Sequence, residues 1–241
     1  MYSGKKILGL IPARGGSKGV HKKNIAPLAG KPLMSWCYEA AKDSDLLDQI
    51  ILSSDNDEII SVAKSLGISV PFVRPAELAR DDTLVVDVIA HALEQELERG
   101  NHWDYVCLLQ VTAPLVQPTD YDKAIQKAVE QDADTVISVF CCDQHHPAIM
   151  FTKDESDRAD WFLRDPGSGR MARRQDLPPV YMRSGLVYVF RASMIIEKRT
   201  LYGDRIYAIE VPQERAAIDI NSTLDLKMAE FFMREKGYDR A

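Results

Sequence analysis

No stretch of this sequence approaches the ~20 consecutive apolar residues that a membrane-crossing helix needs. The first apolar run, inside MYSGKKILGLIPARGG, is too short for a secretory signal and has no small-residue cleavage site after it. Both absences lead us to expect a cytoplasmic protein with no membrane partner. Cysteine is scarce as well. Cys37, Cys107, Cys141 and Cys142 fall in predicted helices and strands without the spacing of a disulfide framework, which suits a reducing compartment. Cys141, Cys142, His145 and His146 are near one another, but adjacent strand residues point to opposite faces and no second pair has CxxC spacing, so no metal site is read there. An excess of positive charge is also missing. The net charge is −6 and the cations gather in one loop instead of along a face with interleaved aromatics, so no nucleic-acid partner is expected.

The common phosphate motifs are absent. The two Gly-Lys pairs, Gly4-Lys5 and Gly30-Lys31, are followed by Lys6 and Pro32 where a P-loop needs Ser or Thr, and Gly15-Gly16-Ser17-Lys18-Gly19 does not have GxGxxG spacing. What stands instead is LGLIPARGGSKGVHKKN, residues 8–24. A short apolar strand ends at Pro12 and runs into a loop in which Gly15, Gly16 and Gly19 allow close approach of the backbone, while Arg14, Lys18, Lys22 and Lys23 supply charge. Freed backbone N–H groups and several cations are what a polyphosphate requires. In a chain that is acidic overall, such a concentration reads as a binding loop and not as a solvated turn.

Beyond the loop, strand and helix patterns alternate: apolar 7–11, helical 32–42, apolar 49–52, helical 57–66, extended 70–74, helical 84–98, apolar 105–110, helical 119–131 and β-rich 135–140. This rhythm predicts a single α/β domain over 1–241 with a mainly parallel sheet. Asp55 and Asp57, Asp82-Thr83, and Pro118-Thr119-Asp120 stand at the expected helix starts. In such sheets ligands bind at the carboxyl ends of strands, which would bring together the glycine loop, the Ser53–Asp55 turn and the loop from Gln110 to Val116. From 141 to 183 the rhythm gives way to a polar stretch rich in proline and glycine, read as an inserted arm. Its Ile149, Met150, Phe151, Trp161 and Phe162 favour contact with a partner. Strand character returns at 186–190 and 206–211, and a last helix is predicted from Thr223 to Lys236. Between them Asp219 and Asn221 stand two apart. An extended segment would turn both to one side and offer a carboxylate and an amide oxygen to a hard cation such as Mg²⁺, though Asn221 or Ser222 could equally cap the last helix.

In their order, IPARGGSKGVHKKN, RPAELARDDT, LLQVTAPL, RRQDLPPVY, SGLVYVF and AIDINSTLDL resemble the bacterial N-acylneuraminate (sialic acid) cytidylyltransferases over nearly the whole chain. The resemblance implies a three-layer fold of nucleotide-diphospho-sugar transferase type, with 141–183 as a dimerisation arm that contacts the sugar site. It also implies transfer of CMP from CTP to an acidic nine-carbon 2-keto sugar, with loss of pyrophosphate. Ala13, Arg14, Gly15, Gly16, Ser17, Lys18 and Lys23 then correspond to triphosphate contacts, with Asn24 closing the loop. Arg74 and Thr83 correspond to positions near base and ribose. Gln110 and Tyr188, with Arg174 and Gln175 from the arm, correspond to sugar contacts, and Asp219 to a ligand of Mg²⁺. Three positions depart from the family pattern: Asn221 where aspartate is common, Val116 where arginine is usual and Ser184 where asparagine is usual. The last two bear on which nonulosonic acid is used.

Three other readings remain open. The same fold also serves sugar-1-phosphate nucleotidyltransferases. A nucleotide-sensing module would bind CTP without releasing pyrophosphate. Asp55-Asn56-Asp57 could pass for an aspartyl-phosphate DxD loop, although two serines separate it from the strand and helix capping accounts for both aspartates.

Overall fold

The computed structural model describes residues 1–17, 19–142, 145–163 and 176–237. Its central sheet has six strands in the order β10-β6-β9-β5-β1-β4. These are β1 (Ile7–Pro12), β4 (Gln49–Ser53), β5 (Tyr105–Leu109), β6 (Thr135–Cys141), β9 (Tyr181–Arg191) and β10 (Ile206–Glu210); β2 (Pro27–Leu28) and β3 (Lys31–Pro32) pair apart from it. β1 is parallel to both β4 and β5, and β10 is parallel to β6; β9 runs antiparallel between β5 and β6. The sheet is thus mainly parallel, as the alternation predicts.

Apolar runs without alternation are expected where both faces of a strand are covered. In β1, Ile7 and Ile11 enter one core while Leu8 and Leu10 enter the other. In β5, Tyr105, Cys107 and Leu109 face the first core, and Val106 and Leu108 the second. The first core is closed by α1 (Leu33–Lys42), α2 (Asp57–Ser65), α4 (Pro118–Glu130) and α7 (Thr223–Lys236), and the second by α3 (Val85–Glu98) and α5 (Ala192–Lys198). The result is three layers, helix on sheet on helix.

Several local expectations need correction. The start of α2 is capped by Asn56, whose side chain accepts from the N–H groups of Glu58 and Ile59; Asp55 and Asp57 do not cap it. Leu84 precedes α3 without a side-chain cap, and Gln117 with Asp120 forms the capping box of α4. Residues 70–74 do not join the sheet. Pro71 and Pro75 interrupt the run, and the backbone touches the sheet edge through Leu52 N–H to Ser69 O and Arg74 N–H to Ser54 O. The stretch 141–183, read as an inserted arm, overlaps the sheet at both ends. Cys141 ends β6, and Tyr181, Met182 and Arg183 already pair with Cys141, Phe140 and Val139. These three β9 residues are exposed, so no burial pattern announced them in the sequence. Inside the segment a small hairpin forms from β7 (Phe151–Lys153) and β8 (Ala159–Trp161), with the Phe151 and Trp161 rings 4.2 Å apart. His146 sits at its base with both ring nitrogens on the backbone, at 3.0 Å from Ala148 N and 3.1 Å from Pro178 O.

Candidate active site

β1, β4 and β5 are mutually parallel, so the loops that leave them emerge at one edge of the sheet, where a cleft of about 320 Å³ opens. Pro12, Arg14 and Ser17 line it from the loop after β1, Lys23 and Asn24 from the turn that follows, and Thr112 from the loop after β5. Arg74, Leu78, Arg80, Asp81, Thr83, Val85 and Val88 form the facing wall. Six residues expected from the sequence therefore converge: Arg14, Ser17, Lys23, Asn24, Arg74 and Thr83. Arg80, Asp81 and Thr112 were not singled out, because a short polar loop gives no sign of which way its side chains turn. Lys18, Arg174 and Gln175 lie outside the described residues.

The glycines act mainly through close approach. An added Cβ at Gly15 would lie 3.0 Å from the Asn56 side chain, and one at Gly19 would lie 1.9 Å from the Asn221 carbonyl oxygen; Gly16 faces open space. The N–H of Gly15 is not left for a ligand, since it donates to Asp55 Oδ1 at 3.0 Å. Ala13 is buried, its N–H donating to Ser53 O, so it shapes the loop from behind. Asn24 is buried and donates through Nδ2 to Arg14 O at 2.9 Å, which closes the loop on itself.

Cations dominate the cleft. Arg14, Lys23, Arg74 and Arg80 line it against the carboxylate of Asp81, whose Oδ1 lies 2.7 Å from Arg14 Nη1. Arg74 is buried; it donates through Nε to Ser53 Oγ at 3.0 Å and through Nη2 to Ser53 O. Burial pushes its pKa down, with Asp55 opposing and Arg14 adding to the shift. An arginine so anchored presents its charge without rotamer cost. Thr83 donates to Glu77 O at 3.3 Å and steadies the facing wall.

Lys23 joins the cleft to the segment beyond it. Its Nζ donates to Ile220 O at 2.9 Å, and Asp219 lies close enough to act on its charge. Asp219 and Asn221 are exposed, and Asn221 Nδ2 donates to Asp219 Oδ2 at 2.8 Å, so the two side chains do share one side. Ser222, not Asn221, caps α7, in a capping box with Asp225. Tyr188 is half-buried and lies within the field of Asp219, and Gln110 Oε1 lies beside Gly185. Neither residue lines the cleft itself. Val116 is in the core, and Ser184 is buried with its hydroxyl on Ser138 Oγ at 2.6 Å, so neither departure exposes a side chain to a ligand.

A family model described as cytidylyltransferase matches residues 8–234. The chain belongs to the cytidylyltransferase family. It is 30% identical over 229 residues to the pseudaminic acid cytidylyltransferase of Campylobacter jejuni, covering 95% of this chain and 97% of that one. It is 30% identical to the CMP-N,N'-diacetyllegionaminic acid synthase of Legionella pneumophila, covering 95% and 96%. It is 34% identical to the N-acylneuraminate cytidylyltransferase of Oncorhynchus mykiss, covering 98% of this chain and 52% of that longer protein. Among solved structures, a CMP:2-keto-3-deoxy-manno-octonic acid synthetase complexed with CTP superposes with a TM-score of 0.69 at 15% identity, covering 96% and 99%. That likeness carries the cytidylyltransferase fold. The aspartyl-phosphate reading is set aside on geometry as well, because Asp55 is engaged with Gly15 and Asn56 caps α2.

Lys23 yields a pH prediction for this cytidylyltransferase. Burial lowers its pKa from the ordinary lysine value, Arg14 adds to that, and Asp219 and Asp225 oppose it. A lysine with a depressed folded pKa loses its charge earlier as pH rises. Its contribution to phosphate binding is therefore present below that pKa and lost above it. Folding stability moves the other way, rising with pH between the folded and unfolded values. CTP affinity should fall on an alkaline limb below the normal lysine range, and Lys23→Arg should move that limb upward. A limb unmoved in Lys23→Arg would assign it to another group.

Proposed function

We propose that this cytidylyltransferase transfers CMP from CTP to the anomeric hydroxyl of a 2-keto-3-deoxy nonulosonic acid, N-acetylneuraminate or a relative such as legionaminate or pseudaminate, and releases pyrophosphate. The observation that carries the reading is the convergence of Arg14, Lys23 and Arg74 in one cleft at the carboxyl end of β1, with Asp219 just beyond Lys23. The reaction is in-line attack of the hydroxyl oxygen on the α-phosphorus, with the diphosphate as leaving group, and the protein's task is positioning and charge stabilisation. Arg14, Lys23 and Lys18 hold the leaving diphosphate, whose charge grows as the P–O bond breaks. Ser17 and the open backbone at Gly16 border the phosphates, and Thr83 and Asn24 lie toward the nucleoside. Gln110 and Tyr188, with Arg174 and Gln175, orient the acid sugar.

Asp219 and Asn221 suit Mg²⁺ by their chemistry: two hard oxygen donors, exposed and on one side of the segment. Among the described residues no three acidic, histidine or cysteine side chains cluster as a closed metal cage. Mg²⁺ commonly takes one or two protein carboxylates and keeps the rest of its shell for substrate phosphates and water. When bound, Mg²⁺ would neutralise phosphate charge and lower the pKa of the attacking hydroxyl. Asp219→Ala should lower turnover ~10²-fold and raise the Mg²⁺ concentration needed for half-maximal rate. Wild-type Mg²⁺ dependence in that variant would remove Asp219 from the site.

The exposed Ile149, Phe151, Phe162, Tyr181 and Met182 support a homodimer through the arm. Light scattering should return twice the chain mass, and Phe151→Asp with Phe162→Asp should return one. The reaction is tested by pyrophosphate release from each of the four NTPs with a panel of nonulosonic acids. Release from CTP alone, and only with a keto acid, is the expected result. Release from another NTP with a sugar 1-phosphate would transfer the chain to the NDP-sugar class, and CTP binding without any release would leave a sensing module.

A further inference from the structure

The loop after β5 and the segment that carries Asp219 are joined by a buried ion pair that does not line the cleft. Asp120, in the first turn of α4, is 3% exposed, and Arg215, on the short α6 (Gln213–Ala216), is 8% exposed. Arg215 Nη2 donates to Asp120 Oδ1 at 3.0 Å and Nη1 donates to Asp120 Oδ2, a two-pronged contact. Nη1 also donates to Leu115 O at 3.3 Å, and Asp120 Oδ2 accepts the Gln117 N–H at 2.9 Å. The guanidinium thus holds the far end of the Gln110–Gln117 loop directly at Leu115 and, through Asp120, at Gln117. From Arg215 the chain continues directly to the other side of the site. Ile218 N–H donates to Arg215 O at 3.3 Å, Ile220 N–H donates back to Thr112 O at 2.9 Å, and Ile220 O takes the Lys23 ammonium. The contacts close into a ring: loop after β5, Arg215, Ile218–Ile220, and the loop again at Thr112.

Burying a charge pair is a poor route to stability, because desolvation consumes most of the attraction. Val111, Leu115 and Val116 already anchor this loop in the core by apolar contact. What the planar guanidinium adds is direction, since two parallel bonds fix distance and orientation together. We propose that Arg215 and Asp120 are positioning residues that set the spacing between the loop bearing Gln110 and Thr112 and the segment bearing Asp219. The kinetic consequence rests on the reaction proposed above; the spacing itself does not.

The test uses Asp120→Asn with Arg215→Met in one chain, which removes both charges together and keeps an oxygen for the Gln117 N–H, and Arg215→Lys, which keeps the charge and loses the fork. Amide exchange at Ile220, thermal melting, and KM and kcat with each substrate varied in turn are measured for both and for the wild type. Expected are folded variants in which Ile220 exchanges about 10-fold faster or more while β1 amides stay protected. The KM for the nonulosonic acid should rise, or kcat fall, by about 10-fold. Wild-type Ile220 protection in a folded variant would overturn the proposal, as would losses that merely follow the folded fraction. Should the double variant not fold, Arg215→Lys decides by the same readouts. A wild type without transferase activity would defeat the reaction reading, and Ile220 exchange would still decide the brace.

Discussion

Lys23→Ala should lower the turnover of pyrophosphate release from CTP by about 10²- to 10³-fold while the protein remains folded. The two consequences differ in size. Removing a preorganised cation from the leaving diphosphate costs roughly 3–4 kcal/mol of transition-state stabilisation. The same substitution removes one hydrogen bond from the folded state, Lys23 Nζ to Ile220 O, worth about 1 kcal/mol net. For a domain of this size that is a fall in melting temperature of roughly 2–4 °C. Steady-state kinetics beside a thermal melt separates the two, and turnover like that of the wild type would remove Lys23 from the reaction.

A comparable loss is expected at a residue with no side chain. In Gly19→Ala the new methyl would stand 1.9 Å from the Asn221 carbonyl oxygen, a backbone atom that cannot rotate away. Carbon and oxygen need more than 3 Å, so the glycine loop and the Asp219 segment must part by roughly 1 Å. A displacement of that size at a catalytic site can cost ~10² in rate. Wild-type turnover in a folded Gly19→Ala variant would show that the loop and the segment are not held in register by this contact.

Much of this site is legible in the chain because it is local. Six of the expected nucleotide contacts do converge, since residues 8–24 contain their own strand end, glycines and cations, and since parallel strands deliver their loops to one edge whatever else the fold does. The same holds for α1 to α4 and α7, whose spacing gave bounds within a residue or two, whereas the short α5 and α6 were not read, the cap of α2 is Asn56 and α3 has no side-chain cap. The antiparallel placement of β9 between β5 and β6 was not legible. Strand pairing is a choice among distant partners, and the exposed Tyr181–Arg183 end carries no apolar signal.

The sequence by itself determined the layered α/β class, the cation-rich loop after β1 and the nearness of the Asp219 carboxylate to the Asn221 amide, because periodicity, glycine spacing and residue chemistry are properties of neighbours along the chain. Only the tertiary structure decided that Gly19 lies against Asn221, that Lys23 reaches Ile220 O, that Asp81 faces Arg14, and that Asp120 and Arg215 meet 95 residues apart in the interior. Each of these contacts joins segments distant in sequence. Such contacts are selected by the packing of the whole core, where the cost of a void, a clash or an unpaired charge is settled against every other element at once.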